Sequence, residues 1–440
     1  MAKRATARNN RGKGSVVTNN NLQKNDMNKT SGPLADLRVL EFDDGTAQYC
    51  GKLLSDLGAE VIKVEPPSGA HSRRIPPFQN DIPDLNKSLY FWHYNTNKRS
   101  VVLDLRHQDA REAVRALVRK TDVVIDGLGC KQMDGWQLGA DELRSLNRRL
   151  IYARLTPFGT TGPWAEFASS DLVQLALGGT MAMTGYDDIG ALGPSYPIAP
   201  SGGQANHMGS IMLAIAIMGA LNNRVTTGNG QCVDVAIHDV ISVSNELGIP
   251  YWEFQGSNIY RHTGRHANPR EGGAREIFRA RDGKWVMCKT TYIDDQLGWR
   301  ALVDWFDSRN LAEDLDDARY DDASYRIENV DHIAKVIEGF CAQTHSADIF
   351  HEAQARKLPW SPVNGPWELL HDPHLIARAA ISGLPGRETG ERYIDAGAPY
   401  HFSKTPWDIR HSAPDLGADT EAVLRDIGRS RVELSLGQVE

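Results

Sequence analysis

The sequence predicts an α/β fold, a mostly parallel and doubly wound sheet joined to a smaller α+β unit. Three observations carry this. Short apolar strands alternate with helical segments from residue 34 to about residue 155, the pattern of strands linked by crossover helices. The character changes at Tyr251, after which Gly-rich loops and short helices separated by acidic loops run to about Pro359. Within that stretch Arg281-Asp282-Gly283 separates two apolar runs, and Asp-Gly in that position is a hairpin signal.

Order begins at Leu34. Arg38-Val-Leu-Glu-Phe42 reads as a buried strand, followed by a turn at Gly45 and a helix from about Ala47 to Leu57 that stops at Gly58. Glu60–Glu65 is a second strand closed by Pro66-Pro67, and Arg99–Leu105 a third. A helix over Ala110–Arg119, a strand over Asp122–Asp126, a short helix over Asp141–Leu146 and a strand over Leu150–Leu155 follow. A long helix is expected from about Gln204 to Asn222, a turn and strand over Gly228–Ile237, and a helix over His238–Leu247. Glu276–Ala280 and Lys284–Cys288 are the hairpin strands. The tail from Val363 offers fragments only, a strand piece at Tyr400–Phe402 and a helix over Thr420–Asp426.

The bulk numbers narrow the class. The chain has 440 residues, 41% of them hydrophobic, enough for more than one core. A net charge of −7 gives no basic character to attract nucleic acid. Residues 1–33 hold seven Lys/Arg against Asp26 alone and few large apolar residues, so they read as a disordered leader without a secretory apolar core. Five scattered cysteines with no C-x-x-C pair suit a reducing, cytoplasmic setting and exclude a Cys-rich zinc site. His371 and His374 read as a helix-start loop rather than a metal site. The longest apolar run, Ile211–Leu221, is too short to span a bilayer and reads as a buried core helix.

Nucleotide signatures are absent. The turn after the first strand, Asp43-Asp-Gly-Thr-Ala-Gln48, is not G-x-G-x-x-G, and Gly127-Leu-Gly129 lacks a third glycine. There is no phosphate loop of the G-x-x-x-x-G-K type and no G-x-S-x-G elbow. Basic pairs flank strand ends at Arg73-Arg74 and Lys98-Arg99. They fit either a polyphosphate ligand or two solvated loops.

Asp171 is the informative acid. It stands after Phe158-Gly-Thr-Thr-Gly-Pro163 and at the mouth of an apolar segment that reaches Gly185. Either Ser169, Ser170 or Asp171 caps the helix starting there, or the carboxylate is a reactive group, and the two readings are compatible. A free aspartate has a pKa of about 3.9 and attacks an acyl group without a partner base.

Several blocks, in order, resemble the class III CoA-transferases, the group of formyl-CoA transferase, carnitine CoA-transferase and α-methylacyl-CoA racemase. They are Leu34–Phe42, Tyr49-Cys-Gly-Lys-Leu-Leu-Ser-Asp-Leu-Gly-Ala-Glu-Val-Ile-Lys-Val-Glu-Pro66, Asn95–Leu105, Leu150–Pro163, Ser170-Asp171-Leu172 with Gly178-Gly179 and Thr184-Gly185, and Thr227–Ala236. The match departs at Gly45-Thr46-Ala47-Gln48, where Ala-Gly-Pro is common, and at Gly127–Cys130, where Arg-Pro-Gly is usual.

The resemblance implies a Rossmann-like large domain with an inserted smaller α+β domain and an interlocked dimer. Residues 34–225 would form the first part of the large CoA-binding domain, 226–360 the small domain, and 361–440 the return to the large domain. The substrates it implies are coenzyme A as acyl-CoA and a carboxylic acid, with no tightly bound cofactor, no nucleic acid and no membrane. The partner it implies is a second copy or, in a heteromeric enzyme, an unlike chain. By analogy Asp171 is the nucleophile, forming aspartyl mixed anhydrides and an aspartyl-CoA thioester. Lys98 and Arg99 match residues near the nucleotide, Arg73 and Arg74 match more loosely, and Gly45, Thr46 and Ala47 form the first loop. Gly272 and Gly273 would shield the anhydrides. The racemase alternative needs a histidine shortly upstream of the aspartate, and none lies between His107 and Asp171. Tyr251, Trp252, Phe254 and Tyr260 suggest an acceptor acid larger than formate or oxalate, lining a pocket or else belonging to a core or interface.

Overall fold

A computed structural model of the chain describes residues 32–43, 45–186, 196–245, 248–262, 267, 275–289, 295–385 and 392–430. The first six strands are β1 (Arg38–Phe42), β2 (Glu60–Glu65), β3 (Arg99–Val102), β4 (Val123–Asp126), β5 (Ile151–Thr156) and β6 (Cys232–Ala236). They form one sheet in the order β3-β2-β1-β4-β5-β6, and every neighbouring pair is parallel. This is the doubly wound order, in which the chain reverses direction across the sheet between β1 and β4. The strand Cys232–Ala236, which the sequence reading gave to the small domain, pairs with β5 and completes the large sheet.

Strand periodicity sorts side chains to two faces. Leu40, Ile62, Val101, Val124 and Tyr152 face one layer. That layer includes α3 (Gln108–Val118), introduced in sequence by α1 (Gln48–Asp56) and α2 (Leu89–Tyr94). Ala110, Ala113, Val114, Leu117 and Val118 give α3 its buried stripe. Two short helices, α4 (Cys130–Gly135) and α5 (Ala140–Leu146), complete the layer. Val39, Val61, Val123, Ile151 and Ala153 face the other layer. There α1 packs beside a later helix, α8 (Gln204–Thr227), which α6 (Asp171–Leu177) and α7 (Thr180–Met183) precede.

The long helix α8 buries Ala205, Gly209, Leu213 and Ile217 against the sheet. Its other face is exposed at Ile211, Met212 and Ile215. It is therefore half-buried, not the fully buried helix expected from its apolar run. It is long and apolar enough to cross a membrane by length and composition, and its buried stripe makes it a core helix of this sheet. Two further helices, α9 (Ile237–Val243) and α10 (Gly248–Gln255), leave the sheet after β6.

A second core is built around the antiparallel β7 (Ile277–Arg279), β8 (Trp285–Cys288) and β9 (Trp360–Pro362). The predicted hairpin is present, and β9 adds a third strand. Four helices pack here, α11 (Gln296–Asp307), α12 (Ala323–Glu328), α13 (Val330–Gln343) and α14 (Ser346–Ala355). Trp299, Trp305, Phe306, Phe340 and Trp360 fill the centre.

The tail returns to the first sheet. Asp372 caps α15 (Pro373–Ala377) by accepting from His374 N and Leu375 N, so the His371–His374 segment is a helix start. An antiparallel pair follows, β10 (Ile381–Pro385) and β11 (Arg392–Ala396), which the sequence reading missed. Tyr400–Phe402 is irregular rather than a strand. The last helix, α16 (Thr420–Arg425), packs Val423 and Leu424 into the α3 layer.

One buried ion pair ties the second strand to the loop after it. Arg73 and Glu65 are both buried, with Nε to Oε2 at 2.6 Å and Nη2 to Oε1 at 2.8 Å. Burial alone would raise the Glu65 carboxyl, but hydrogen bonding and charge from Arg73 hold it below the ordinary carboxylate range. A lowered folded-state value stabilises the protein above the ordinary range and loses that stabilisation as pH falls through it. Glu65→Gln should therefore destabilise at neutral pH by about 3–5 kcal/mol through the stranded Arg73. It should also flatten the loss of Tm below about pH 4.5. Tm against pH for the two proteins checks both.

Candidate active site

The loop after β1 is organised by Asp43. Its Oδ1 accepts from Ala47 N at 2.7 Å and its Oδ2 from Gly45 N at 2.8 Å. The amides of Gly45 and Ala47, which an anionic ligand would use, are thus already taken by a buried carboxylate. Asp43 points inward, toward Lys63, whose Nζ donates to Asp43 O at 2.9 Å. Burial raises the Asp43 carboxyl. Asp44 lies outside the described residues.

Beneath this loop is a buried charge cluster. Lys63 Nζ donates to Glu41 Oε1 at 2.8 Å, and Lys98 Nζ donates to Glu41 Oε2 at 2.7 Å, Gln48 O at 2.9 Å and Asn95 Oδ1 at 3.0 Å. Burial pushes Lys98 down to about 8. Burial opposes the charge on Glu41 as well, but the two lysines outweigh it and hold that carboxyl low. Lys98 is therefore spent on internal partners.

The other basic residues divide. Arg99 begins β3, at the opposite end of the sheet from the strand ends where such folds bind ligands. It is paired with Glu60 at 2.6 Å and Asp419 at 3.2 Å. Arg73 is committed to Glu65 and stacks over Phe91 at 3.7 Å. Arg74 is exposed and donates to Gly69 O and Ser68 O. Gly272 and Gly273 lie outside the described residues.

The crevice at the outgoing ends of β1, β2 and β3 holds a cleft of about 460 Å³. Phe42, Val64, Leu103 and Leu128 give it an apolar floor, Trp136 a wall, and Ser68, Asp43, Asp104 and Arg106 a polar rim. Arg106 was missed from sequence because an isolated arginine after a strand carries no pattern.

Asp171 opens α6, but Ser170 caps that helix, its Oγ accepting from Val173 N at 3.3 Å. The Asp171 carboxylate is turned elsewhere. Its Oδ1 accepts from Asn206 N at 3.0 Å, in the first turn of α8. Backbone N–H groups at a helix start lack intrahelical partners and favour negative charge. The acid thus sits where two helix starts meet. Of the cap candidates named from the sequence, Ser170 caps α6, and the half-buried Asp171 carboxylate instead accepts from the first turn of α8.

His207 follows Asn206 in the chain, and its Nε2 is 2.5 Å from the Tyr94 hydroxyl. Its ring lies on Tyr49, centroids 4.6 Å apart. Burial, with repulsion from His93, lowers the basicity of His207, and Asp171 partly opposes this. Burial raises the Tyr90 and Tyr94 hydroxyls, and Asp171 adds to both. His207 lies downstream of Asp171 in the chain, whereas the histidine that the family resemblance implies for a racemase lies upstream. Tyr251, Trp252 and Phe254 lie on α10, and Tyr260 follows it. Trp252 is 60% and Phe254 85% exposed on or beside α10.

The parallel doubly wound sheet is shared with proteins already known. Residues 34–420 match the model of CoA-transferase family III, and the chain belongs to that family. It is an enzyme that transfers coenzyme A. It is 29% identical over 401 residues to the succinyl-CoA:(R)-benzylsuccinate CoA-transferase subunit BbsE of Thauera aromatica, covering 90% of this chain and 95% of that one. It is 31% identical over 404 residues to the succinyl-CoA:mesaconate CoA-transferase of Haloarcula hispanica, covering 90% and 97%. The crystal structure of a CaiB/BaiF family protein from Brucella suis superposes with a TM-score of 0.76 at 28% identity, covering 90% of this chain and 100% of that one.

Proposed function

We propose that the enzyme moves CoA from an acyl-CoA donor to a carboxylic acid through covalent intermediates on Asp171. The observation that carries this is the Asn206 N–H on Oδ1 of Asp171 at 3.0 Å, with no ion pair to the carboxylate from any described lysine or arginine. The free Oδ2 attacks the thioester carbonyl carbon, the C–S bond breaks, and CoA thiolate leaves a mixed anhydride. The thiolate then attacks Cγ of Asp171 and expels the donor acid, giving an aspartyl-CoA thioester. The acceptor carboxylate attacks that thioester and again releases thiolate, which takes the acyl group from the second anhydride and restores Asp171. In each attack at Cγ the new oxyanion forms on Oδ1, where the Asn206 amide already points, within the 2.7–3.1 Å or so that such stabilisation requires.

CoA in this reading lies across the crevice, its adenine end on the apolar floor of the cleft beside Trp136 and its phosphates toward Arg74 and Arg106. The first loop, Gly45 to Ala47, contributes shape rather than phosphate-binding amides. The direct test is to mix enzyme with an acyl-CoA, quench with hydroxylamine, and map the peptides by mass spectrometry. A hydroxamate on Asp171 supports the route, and an unmodified Asp171 under turnover removes it.

His207 favours a second reading, proton exchange at the α-carbon of an acyl-CoA between Asp171 and a neutral imidazole. Deuterium entering that carbon in D₂O without any exchange of CoA between acids would establish it.

The exposed apolar face of α8 continues in the exposed Val243 of α9 and Ile249 and Trp252 of α10. Exposed apolar residues grouped in this way mark interaction surfaces, and the interlocked dimer is our reading of them. Light scattering after size exclusion should give a dimer mass. Ile215→Glu, at a position 59% exposed, should reduce that mass toward one chain.

A further inference from the structure

The proposed reaction uses the outgoing ends of the strands and leaves a larger cleft at their incoming ends without a role. That cleft, of about 890 Å³, lies where β2 and β3 begin, with Glu60 and Arg99 on one side. The tail forms the other side. It contributes Arg410, His411 and Ser412 from the loop ahead of α16, and Arg425 from α16 itself.

The charges of the cleft divide into a paired and an unpaired set. Glu60 takes Arg38 and Arg99, each at 2.6 Å. Asp419 takes Arg99 at 3.2 Å and the Ser100 amide at 3.0 Å, and Asp426 takes Arg38 at 3.5 Å. Two arginines of the strands thus answer the three carboxylates that line the cleft. Arg410 and Arg425 are left over, and among the described residues no carboxylate forms an ion pair with either. Arg410 Nη2 donates to Ser55 O at 3.1 Å, whereas its Nη1 is buried and makes no hydrogen bond. A donor in that state is a standing cost, and a bound anion is one thing that relieves it.

The loop is also set in place before any ligand arrives. Asn97, buried and held at φ 61°, accepts through Oδ1 from Arg410 N at 2.7 Å and His411 N at 3.0 Å. A donor set fixed in this way loses little freedom on binding. We propose that the cleft binds a phosphate group, free or carried by a small molecule, between Arg410 and Arg425, with His411 and Ser412 as further donors. The bound phosphate joins α16 to the loop that Asn97 anchors, and so fastens the tail over the start of β3.

Phosphate is the chemistry that these residue types suit. A guanidinium offers two parallel N–H groups to two oxygens of one phosphate and keeps its charge at any working pH. A tetrahedral dianion has oxygens left for a second guanidinium, an imidazole and a hydroxyl, which a planar carboxylate lacks. The volume exceeds what the free ion fills and lies in the range of small-molecule sites. The inference does not depend on Asp171 being the nucleophile.

The test titrates the full chain with inorganic phosphate and with glycerol 3-phosphate by calorimetry at fixed ionic strength. The wild type should bind at least one of them with a Kd below about 1 mM. Arg410→Gln and Arg425→Gln should each weaken that binding by at least roughly tenfold. Arg425 is exposed, so its variant should fold as the wild type does and keep its rate of CoA transfer. Saturating ligand should raise the wild-type Tm by about 2 °C or more and leave the Arg425→Gln Tm nearly unmoved. Binding of both probes identifies the free ion as sufficient, and binding of glycerol 3-phosphate alone identifies a phosphorylated metabolite. No saturable binding of either probe overturns the proposal. So does binding that both variants leave intact and that Arg106→Gln, in the other cleft, abolishes.

Discussion

Asp171→Ala is expected to lower CoA transfer by at least roughly 10⁴-fold, because under the proposed mechanism it removes the covalent route and not merely a contact. The same change should cost about 1 kcal/mol of stability, since Asp171 also serves as a cap for the first turn of α8 through Asn206 N. Asp171→Asn separates the two roles. Its amide oxygen still accepts from Asn206, so stability should stay near wild type, while the loss of the carboxylate leaves transfer as low as in the alanine variant. Initial rates of CoA-ester formation and denaturant midpoints decide the matter. Transfer persisting within tenfold of wild type in either variant would rule out Asp171 as the nucleophile.

The second large effect is expected beneath the first loop. Lys63→Met should destabilise by about 3–5 kcal/mol, the usual result of breaking a buried ion pair from one side. It leaves Glu41 and Asp43, both buried, without the ammonium that faces them at 2.8 Å and 4.0 Å. Gly51 reports on the same cluster with an inverted sign. In an ordinary helix interior, Gly→Ala stabilises by about 1 kcal/mol. Here an added Cβ would stand 1.7 Å from Glu41 Oε2 and 3.0 Å from Lys98 Nζ. Gly51→Ala should therefore destabilise. Urea denaturation of the two variants checks both signs, and a Gly51→Ala protein more stable than wild type would mean that the cluster has room to move.

The sheet was legible because five strands announce themselves as apolar runs between helix patterns, and each is found within a few residues of its expected place. β6 was expected as a strand but fell within the stretch given to the small domain, since Cys232–Ala236 follows a long helix and nothing local says which sheet a lone strand joins. β10 and β11 escaped because Ile381–Pro385 contains Gly383 and lacks clear alternation. Asp171 could be singled out by its position at a helix mouth. Its environment could not, because Tyr94, His207 and Gln48 come from three distant segments and meet only through the packing of α1, α2 and α8. The basic pairs illustrate the opposite failure. Arg73 and Lys98 look like ligand-binding residues in a string of letters, yet both are buried partners of glutamates, and sequence spacing carries no measure of burial.

The return of the tail has a consequence for how the chain is made. β3 is an outer strand, and a bare outer strand is a template for unwanted pairing with other chains. Among the described residues no seventh strand covers it. Instead Asp419 Oδ2 takes the Ser100 amide and Thr420 Oγ1 takes the Val102 amide, each at 3.0 Å, while Asp419 N returns to Ser100 O at 3.0 Å. Asn97 Oδ1 likewise accepts from Arg410 N and His411 N. These groups are about 310 to 320 residues from their partners in the chain, so on the ribosome the sheet's rim stays open until nearly the whole polypeptide has been synthesised. A chain cut short near residue 405 would keep Asp171 and the second core but lose Val423 and Leu424 from the first, and its characteristic failure would be clumping through that rim.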